Sequence, residues 1–271
     1  MHAREAGVEV LDGHGFAAID TTHADRVDVE VDGVGTVRTR YVIAADGMWS
    51  PVRKSVGAAV PGYRGEWHAF RQYARNVTGP AAERLIVWFE ADLLPGYAWS
   101  FPLPGNRANI GFGVLRDGER KVQDMAELWR DLLTRPHVVE ALGGGFELEG
   151  RHTAWPIPAR VDEIALTAGR VLFVGDAAAA TDVMTGEGIG QALLTGRLAA
   201  EAVVAAGALA PDAACALYER HVDDELFADH RMSKRLGAVL ASERGARGAI
   251  RIVEASGDWG RRNFARWMFE D

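Results

Sequence analysis

A chain of 271 residues that is 48% hydrophobic and 25% charged is long enough, and apolar enough, to bury a sizeable core. Its formal net charge of -8 lacks the electrostatic footprint of a nucleic-acid binder. Cys215 is the only cysteine, which excludes intrachain disulfides and cysteine-based metal clusters and fits a reducing, cytoplasmic compartment.

Val27–Val31 and Thr36–Arg38 alternate around a turn at Asp32-Gly33, which predicts a hairpin. It leads into Tyr41-Val42-Ile43-Ala44-Ala45-Asp46-Gly47, an apolar strand ending in an acid and a glycine. Ser50 followed by Pro51 supplies an N-cap and a first helical position, so a short helix should project Arg53. By itself, Asp46-Gly47 reads equally as a plain turn.

Residues 60 to 75 read as irregular and aromatic, with Tyr63, Trp67, Phe70 and Tyr73. Arg71, in their midst, has two readings, a residue that reaches the flavin or substrate and, by default, an ordinary surface arginine. Leu85–Glu90, Tyr97–Leu103 and Ala108–Leu115 are strand-like runs parted by short proline- and glycine-rich turns, the pattern of an antiparallel meander. Period-two spacing puts Tyr97, Trp99 and Phe101 on one face, either to pack a core or to floor an apolar pocket. Residues 122 to 142 read as a helix with Met125, Leu128, Trp129, Leu132 and Leu133 on one side.

Arg170-Val171-Leu172-Phe173-Val174-Gly175-Asp176 reads as a buried parallel strand that delivers a carboxylate to its C-terminal edge, where open α/β sheets bind ligands. Gly175 and Ala177 to Ala180 leave room for a close approach. Gly186, Gly188 and Gly190 then open a helix whose free amides and dipole suit a pyrophosphate, although a tight turn alone would also need glycine. Ile189, Ala192, Leu193, Ala200, Val203 and Val204 fall at helical spacing, which predicts an amphipathic helix packed on the sheet. Arg197 and Glu201 interrupt it short of a membrane span, and no N-terminal segment resembles a signal peptide. Beyond Pro211 the chain reads as helical and charged, with Trp259, Phe264, Trp267 and Phe269 as packing residues of a C-terminal cap.

The Gly175-Asp176 motif, together with Ala45-Asp46-Gly47 and Ser50-x-x-Arg53, resembles the flavoprotein hydroxylases and their relatives. Thr185-Gly186-Glu187-Gly188-Ile189, Pro95–Pro102 and Asn109-Ile110-Gly111-Phe112-Gly113 are most similar to the geranylgeranyl reductase family of that group. The resemblance covers most of residues 40 to 205. It implies FAD, with NAD(P)H or another reductant as electron donor, and chemistry carried by the flavin, whose reduced N5 delivers hydride. It also implies a fold: an α/β protein, α+β in its substrate lobe, in which a partial FAD-binding Rossmann-like lobe (1–59 and 155–210) carries an inserted antiparallel-sheet substrate lobe (60–154), followed by C-terminal helices (211–271). Asp46, Gly47, Arg53, Gly175, Asp176, Gly186, Gly188 and Ile189 are then expected at the cofactor. Tyr97, Trp99 and Phe101 are expected at an isoprenoid or other lipid-like substrate, which is compatible with peripheral membrane contact.

One departure stands out. The family's Gly-x-Gly-x-x-Gly fingerprint and the acid for the adenosine ribose are absent, and Ala3-Arg4-Glu5-Ala6-Gly7 with Val8-Glu9-Val10 resembles the segment that follows them. An uncovered strand edge and apolar surface are expected in consequence. Three functions follow: a reductase of isoprenoid carbon–carbon double bonds, an aromatic hydroxylase on the same scaffold, and a non-catalytic chain unable to hold FAD. No catalytic side chain is assigned. The histidines lack zinc-binding spacing, so no metal is expected, and Ser50 and Ser100 lack a Gly-x-Ser-x-Gly elbow.

Overall fold

The computed structural model describes residues 2–116 and 122–257; the aromatic residues at 259 to 269 lie outside them. A short helix α1 (His2–Glu5) precedes β1 (Phe16–Asp20), β2 (Val27–Val31) and β3 (Gly35–Thr39), which form an antiparallel three-stranded sheet. The expected hairpin is β2–β3, with Val31 opposite Gly35.

β4 (Val42–Ala44) then leads to α2 (Pro51–Ser55). The Ser50 hydroxyl accepts the Arg53 amide at 2.9 Å, the expected N-cap. β10 (Thr167–Ala168) and β11 (Val171–Phe173) complete a second sheet, in which β11 runs parallel to β4 and pairs Leu172 with Ile43. β11 is wholly buried, as its unbroken apolar run requires. β4 is the last strand of this sheet, and Ile43 on it is exposed.

Between these pieces lies a five-stranded antiparallel sheet of β5 (Trp67–Arg75), β6 (Ile86–Trp88), β7 (Tyr97–Leu103), β8 (Arg107–Leu115) and β9 (Glu147–Ile157), in the order β6-β7-β8-β5-β9. The expected meander is present. The segment read as irregular is instead largely β5, paired on both sides with β8 and β9. Its pattern is masked because Gln72 is buried among apolar neighbours, its amide joined to the Trp129 indole and the Gly150 carbonyl. β9 runs to Ile157, past the expected lobe boundary at 154.

One face of this sheet is covered by α3 (Val122–Leu132) and α4 (Pro136–Leu142). A single helix was expected there. The proline at the first position of α4 has no amide to continue α3, so the chain breaks and restarts. Met125, Trp129, Leu132, Val138 and Leu142 pack on Phe70, Ala98, Ile110 and Phe112.

A 3-10 turn (Gly175–Ala178) follows β11, and α5 (Ile189–Ala206) packs over it. By length and composition alone α5 could cross a membrane. Its buried face, however, is Thr195, Leu198, Ala199 and Ala202, whereas Ile189, Leu193 and Val204 of the expected stripe are exposed. The helix is apolar nearly all round, so periodicity does not choose a face; small residues at 199 and 202 do, by allowing close approach. α6 (Pro211–Val222), a π-helical turn (Asp223–Phe227), α7 (Ala228–Leu240) and α8 (Glu243–Ala255) complete the described chain.

Arg53 ties the two halves of the interrupted lobe together. It is 7% exposed, stacks 3.8 Å from the centre of the Phe173 ring, and donates to the carbonyls of Ala177 (2.8 Å), Ala165 (2.8 Å) and Ala58 (3.2 Å). Burial pulls its guanidinium down to about 10, which leaves it charged at neutral pH. Removing it strips the buried Ala177 carbonyl, and the less covered carbonyls of Ala58 and Ala165, of this donor. Arg53→Met should therefore cost on the order of 3 kcal/mol in denaturant unfolding, and Arg53→Lys should recover only part of that because an ammonium lacks the planar fork.

Candidate functional site

β11 brings Asp176 to the end of the second sheet, where Gly175 adopts φ +56° and a Cβ on it would lie 3.1 Å from the Ala192 Cβ. The Gly175 amide donates to the Thr195 hydroxyl at 2.9 Å, which clamps the loop onto α5. Asp176 itself receives only a 3.3 Å hydrogen bond from Thr181, and burial raises its carboxyl above the usual range. A half-buried carboxylate with spare acceptor capacity, walled by Ala177 to Ala180, fits a ribityl or ribose hydroxyl.

Gly188 lies under this carboxylate: a Cβ there would lie 3.1 Å from Thr181 Oγ1 and 3.7 Å from Asp176 Oδ1. The amides of Ile189 and Gly190, at the positive end of α5, donate to Glu187 Oε1 at 2.7 and 3.2 Å. The place expected for a cofactor phosphate is held here by the chain's own carboxylate. Asp46 caps α2 by accepting the Val52 amide at 3.0 Å, while its Oδ1 is buried without a partner; Gly47 beside it has φ +79°. Arg53 reaches the Gly-Asp loop from within the lobe, through the Ala177 carbonyl.

Residues 182 to 187 form a self-bonded loop. Asp182 Oδ1 accepts from the amides of Met184 and Thr185 and from the Thr185 hydroxyl, at 3.0, 2.7 and 2.8 Å. The five-stranded sheet holds this loop at two points: the Trp67 indole donates to the Val183 carbonyl at 2.7 Å, and the Tyr97 hydroxyl donates to the Thr185 carbonyl. Gly186 thereby comes to rest beside Ile157 of the sheet.

Between loop and sheet lies a cavity of roughly 770 Å³, lined by Trp67, Tyr97, Trp99, Phe101 and Trp155 on one side and Thr185 to Glu187 with Ile189 on the other. Tyr97, Trp99 and Phe101 face this slot while Ala98 and Ser100 between them are fully buried towards the helices. Of the two readings open from sequence, the pocket floor is the one the fold adopts. Neighbouring rings lie 6.0 Å (Tyr97–Trp99) and 5.9 Å (Trp99–Phe101) apart.

The glycines of Asn109-Ile110-Gly111-Phe112-Gly113 have a specific reason to be there. A Cβ on Gly111 would lie 2.3 Å from the Phe70 carbonyl oxygen and 2.4 Å from the Trp99 ring; one on Gly113 would lie 3.9 Å from that ring. The indole thus lies flat across Gly111. Trp67 and Trp155 were not expected in the slot, and Arg71 only as the lesser of its two readings. Their signal is the alternation of Trp67, Ala69 and Arg71 along β5, visible only once that segment is known to be a strand.

Two expectations follow. Gly111→Ala should lower the melting temperature by several degrees and displace Trp99, seen in near-ultraviolet circular dichroism, whereas Gly113→Ala should be tolerated. In a flavin-loaded preparation, FAD retention should fall on acidification at a higher pH than an exposed aspartate would give, because protonation of Asp176 removes its capacity as a charged acceptor; Asp176→Asn should flatten that dependence.

The FAD binding domain family profile matches residues 1–194. Digeranylgeranylglycerophospholipid reductase 1 of Methanopyrus kandleri is 34% identical over 213 residues, which are 76% of this chain and 55% of that protein. Menaquinone reductase of Mycolicibacterium smegmatis is 30% identical over 211 residues, 71% of this chain and 48% of that protein. The chain thus spans about half the length of the curated relatives it matches. A geranylgeranyl bacteriochlorophyll reductase-like structure from Thermoplasma acidophilum superposes with a TM-score of 0.74 at 20% identity, covering 88% of this chain and 60% of that one. The flavin-dependent halogenase CmlS does so with a TM-score of 0.68 at 20% identity, covering 89% and 46%. The chain belongs to the FAD-binding domain family of flavoproteins.

Proposed function

We propose that the chain forms the substrate side of an FAD-dependent reductase that saturates carbon–carbon double bonds of an isoprenoid or a prenylated lipid or quinone, with NAD(P)H or another reductant as electron source. The observation that carries this reading is the aromatic slot, which opens against the same loop that follows Asp176. When bound in its reduced form, FAD would supply the hydride for this saturation, with the second hydrogen taken up as a proton.

The chain's own residues bind, orient and exclude water. Trp99, Phe101 and Trp155 offer a long apolar wall to a prenyl chain, and apolar pockets with few polar groups suit such ligands. Tyr97 is a tether and not an acid: its hydroxyl is committed to the Thr185 carbonyl, and burial raises its pKa far above neutrality. Asp176 would hold a cofactor hydroxyl, and loop 182–187 closes one end of the slot. Relatives of known name act on a phospholipid or a quinone, in keeping with a small apolar substrate. The halogenase and monooxygenase likeness at the level of fold supports an oxygen-using alternative, which oxygen consumption separates.

The test is anaerobic incubation of the reduced flavoprotein with prenyl substrates. Saturated product is expected, with no oxygen-coupled hydroxylation when air is admitted; hydroxylated product would favour the alternative. Trp155 is 54% exposed and holds nothing in the core, so Trp155→Ala should raise KM for long prenyl substrates severalfold while melting temperature and flavin content stay unchanged. Loss of all three in parallel would return the slot aromatics to a packing role.

A further inference from the structure

The slot is lined by one cation, Arg71, and the register of the sheet fixes its position strand by strand. Across β7, β8, β5 and β9, Tyr97, Gly113, Ala69 and Trp155 form one rung, and Trp99, Gly111, Arg71 and Thr153 form the next. Phe101, Asn109 and Tyr73 form a third. Loop 182–187 is tied to the first of these through Tyr97, and to the rung before it through Trp67. Arg71 therefore lies beyond the loop along the sheet, four residues from Trp67 on the same strand, or on the order of 13 Å at a strand's rise.

Arg71 differs from its neighbours on this sheet. Arg75 is paired with Glu147 at 2.6 Å and Arg107 with Glu149 at 2.7 Å. Arg71 has no carboxylate partner among the described residues; it donates to the Tyr73 hydroxyl at 2.7 Å and lies 4.8 Å from the centre of that ring. Of the residues lining the slot it is the only cation, and Glu187, the only carboxylate there, is engaged with the amides of α5. A guanidinium held by a phenol hydroxyl, facing a mainly apolar slot, keeps most of its donors for a ligand.

Resting on the reading of the slot as an isoprenoid site, we propose that Arg71 is its specificity residue: it binds an anionic phosphate head and so sets which stretch of the prenyl chain lies beside loop 182–187. The planar fork donates to phosphate oxygens in pairs, while the Thr153 hydroxyl on the same rung donates to the Arg71 carbonyl at 3.3 Å and braces the strand that carries the guanidinium. A soluble prenyl diphosphate and a prenylated glycerophospholipid share this head.

The test is calorimetric titration of the chain, and of Arg71→Met, Arg71→Lys and Arg75→Met, with farnesyl diphosphate, farnesol and inorganic pyrophosphate. The wild-type chain should bind farnesyl diphosphate at least about tenfold more tightly than farnesol, the scale of one charge-assisted contact. Arg71→Met should erase that preference while leaving farnesol affinity unchanged, Arg71→Lys should keep part of it, and Arg75→Met should keep all of it. Equal affinity for diphosphate and alcohol in the wild type, or equal weakening of both by Arg71→Met, overturns the role of Arg71 and leaves the isoprenoid slot standing. Pyrophosphate binding as tightly as farnesyl diphosphate overturns it too, since the anion would then sit apart from the chain. Failure of farnesol and farnesyl diphosphate alike to bind overturns the slot itself and the Arg71 role with it. Vesicles carrying a prenylated phosphatidic acid, compared with free farnesyl diphosphate, show which carrier presents the head; Arg71-dependent binding of either supports the proposal.

Discussion

Two aromatic side chains of the sheet, Trp67 and Tyr97, donate to the carbonyls of Val183 and Thr185, and the rest of the site depends on these contacts. They fix loop 182–187, which continues from the Gly-Asp turn and opens α5. Without them the sheet and the cofactor-side loop would be neighbours with no set spacing. A buried carbonyl that lost its aromatic donor would carry a desolvation cost, so the arrangement is self-enforcing.

A second knot braces the same junction from behind. Glu66 is mostly buried and accepts from the Ala159 amide, the Arg160 guanidinium and the Tyr63 hydroxyl, each at 2.6 Å. Arg160 in turn lies 4.2 Å from the Tyr63 ring centre. β5 therefore begins, and β9 ends, at a point where charge, aromatic face and backbone are satisfied together. This gives the five-stranded sheet a fixed root in the lobe that carries Asp176.

Much of this could be read from sequence where one segment carries the signal by itself. β11 announces itself because a strand buried on both faces is an unbroken apolar run, β4 shares that run although Ile43 on it is exposed, and Ser50-Pro51 marks a helix start for a local reason. β5 could not be read, because Arg71 and Gln72 interrupt its pattern and their partners lie on other strands. The packed face of α5 was hidden by a surplus of apolar residues. The Glu66 knot was hidden by distance, since Arg160 is 94 residues away in sequence. Arg71 itself was visible, but only the register of three neighbouring strands separates it from an ordinary surface arginine.

Gly111 and Gly113 leave the central strand β8 without a side chain at two successive positions of its slot face. Glycine within a strand forfeits about 0.5–1 kcal/mol relative to alanine, and an aromatic ring laid across from the adjacent strand offsets that loss. Trp99 is that ring for Gly111. β8 consequently takes part of its order from β7, and the two can settle only together. The aromatic floor of the slot is thus coupled to the stability of the sheet itself, and sequence drift at Trp99 is constrained by foldability as well as by what the slot binds.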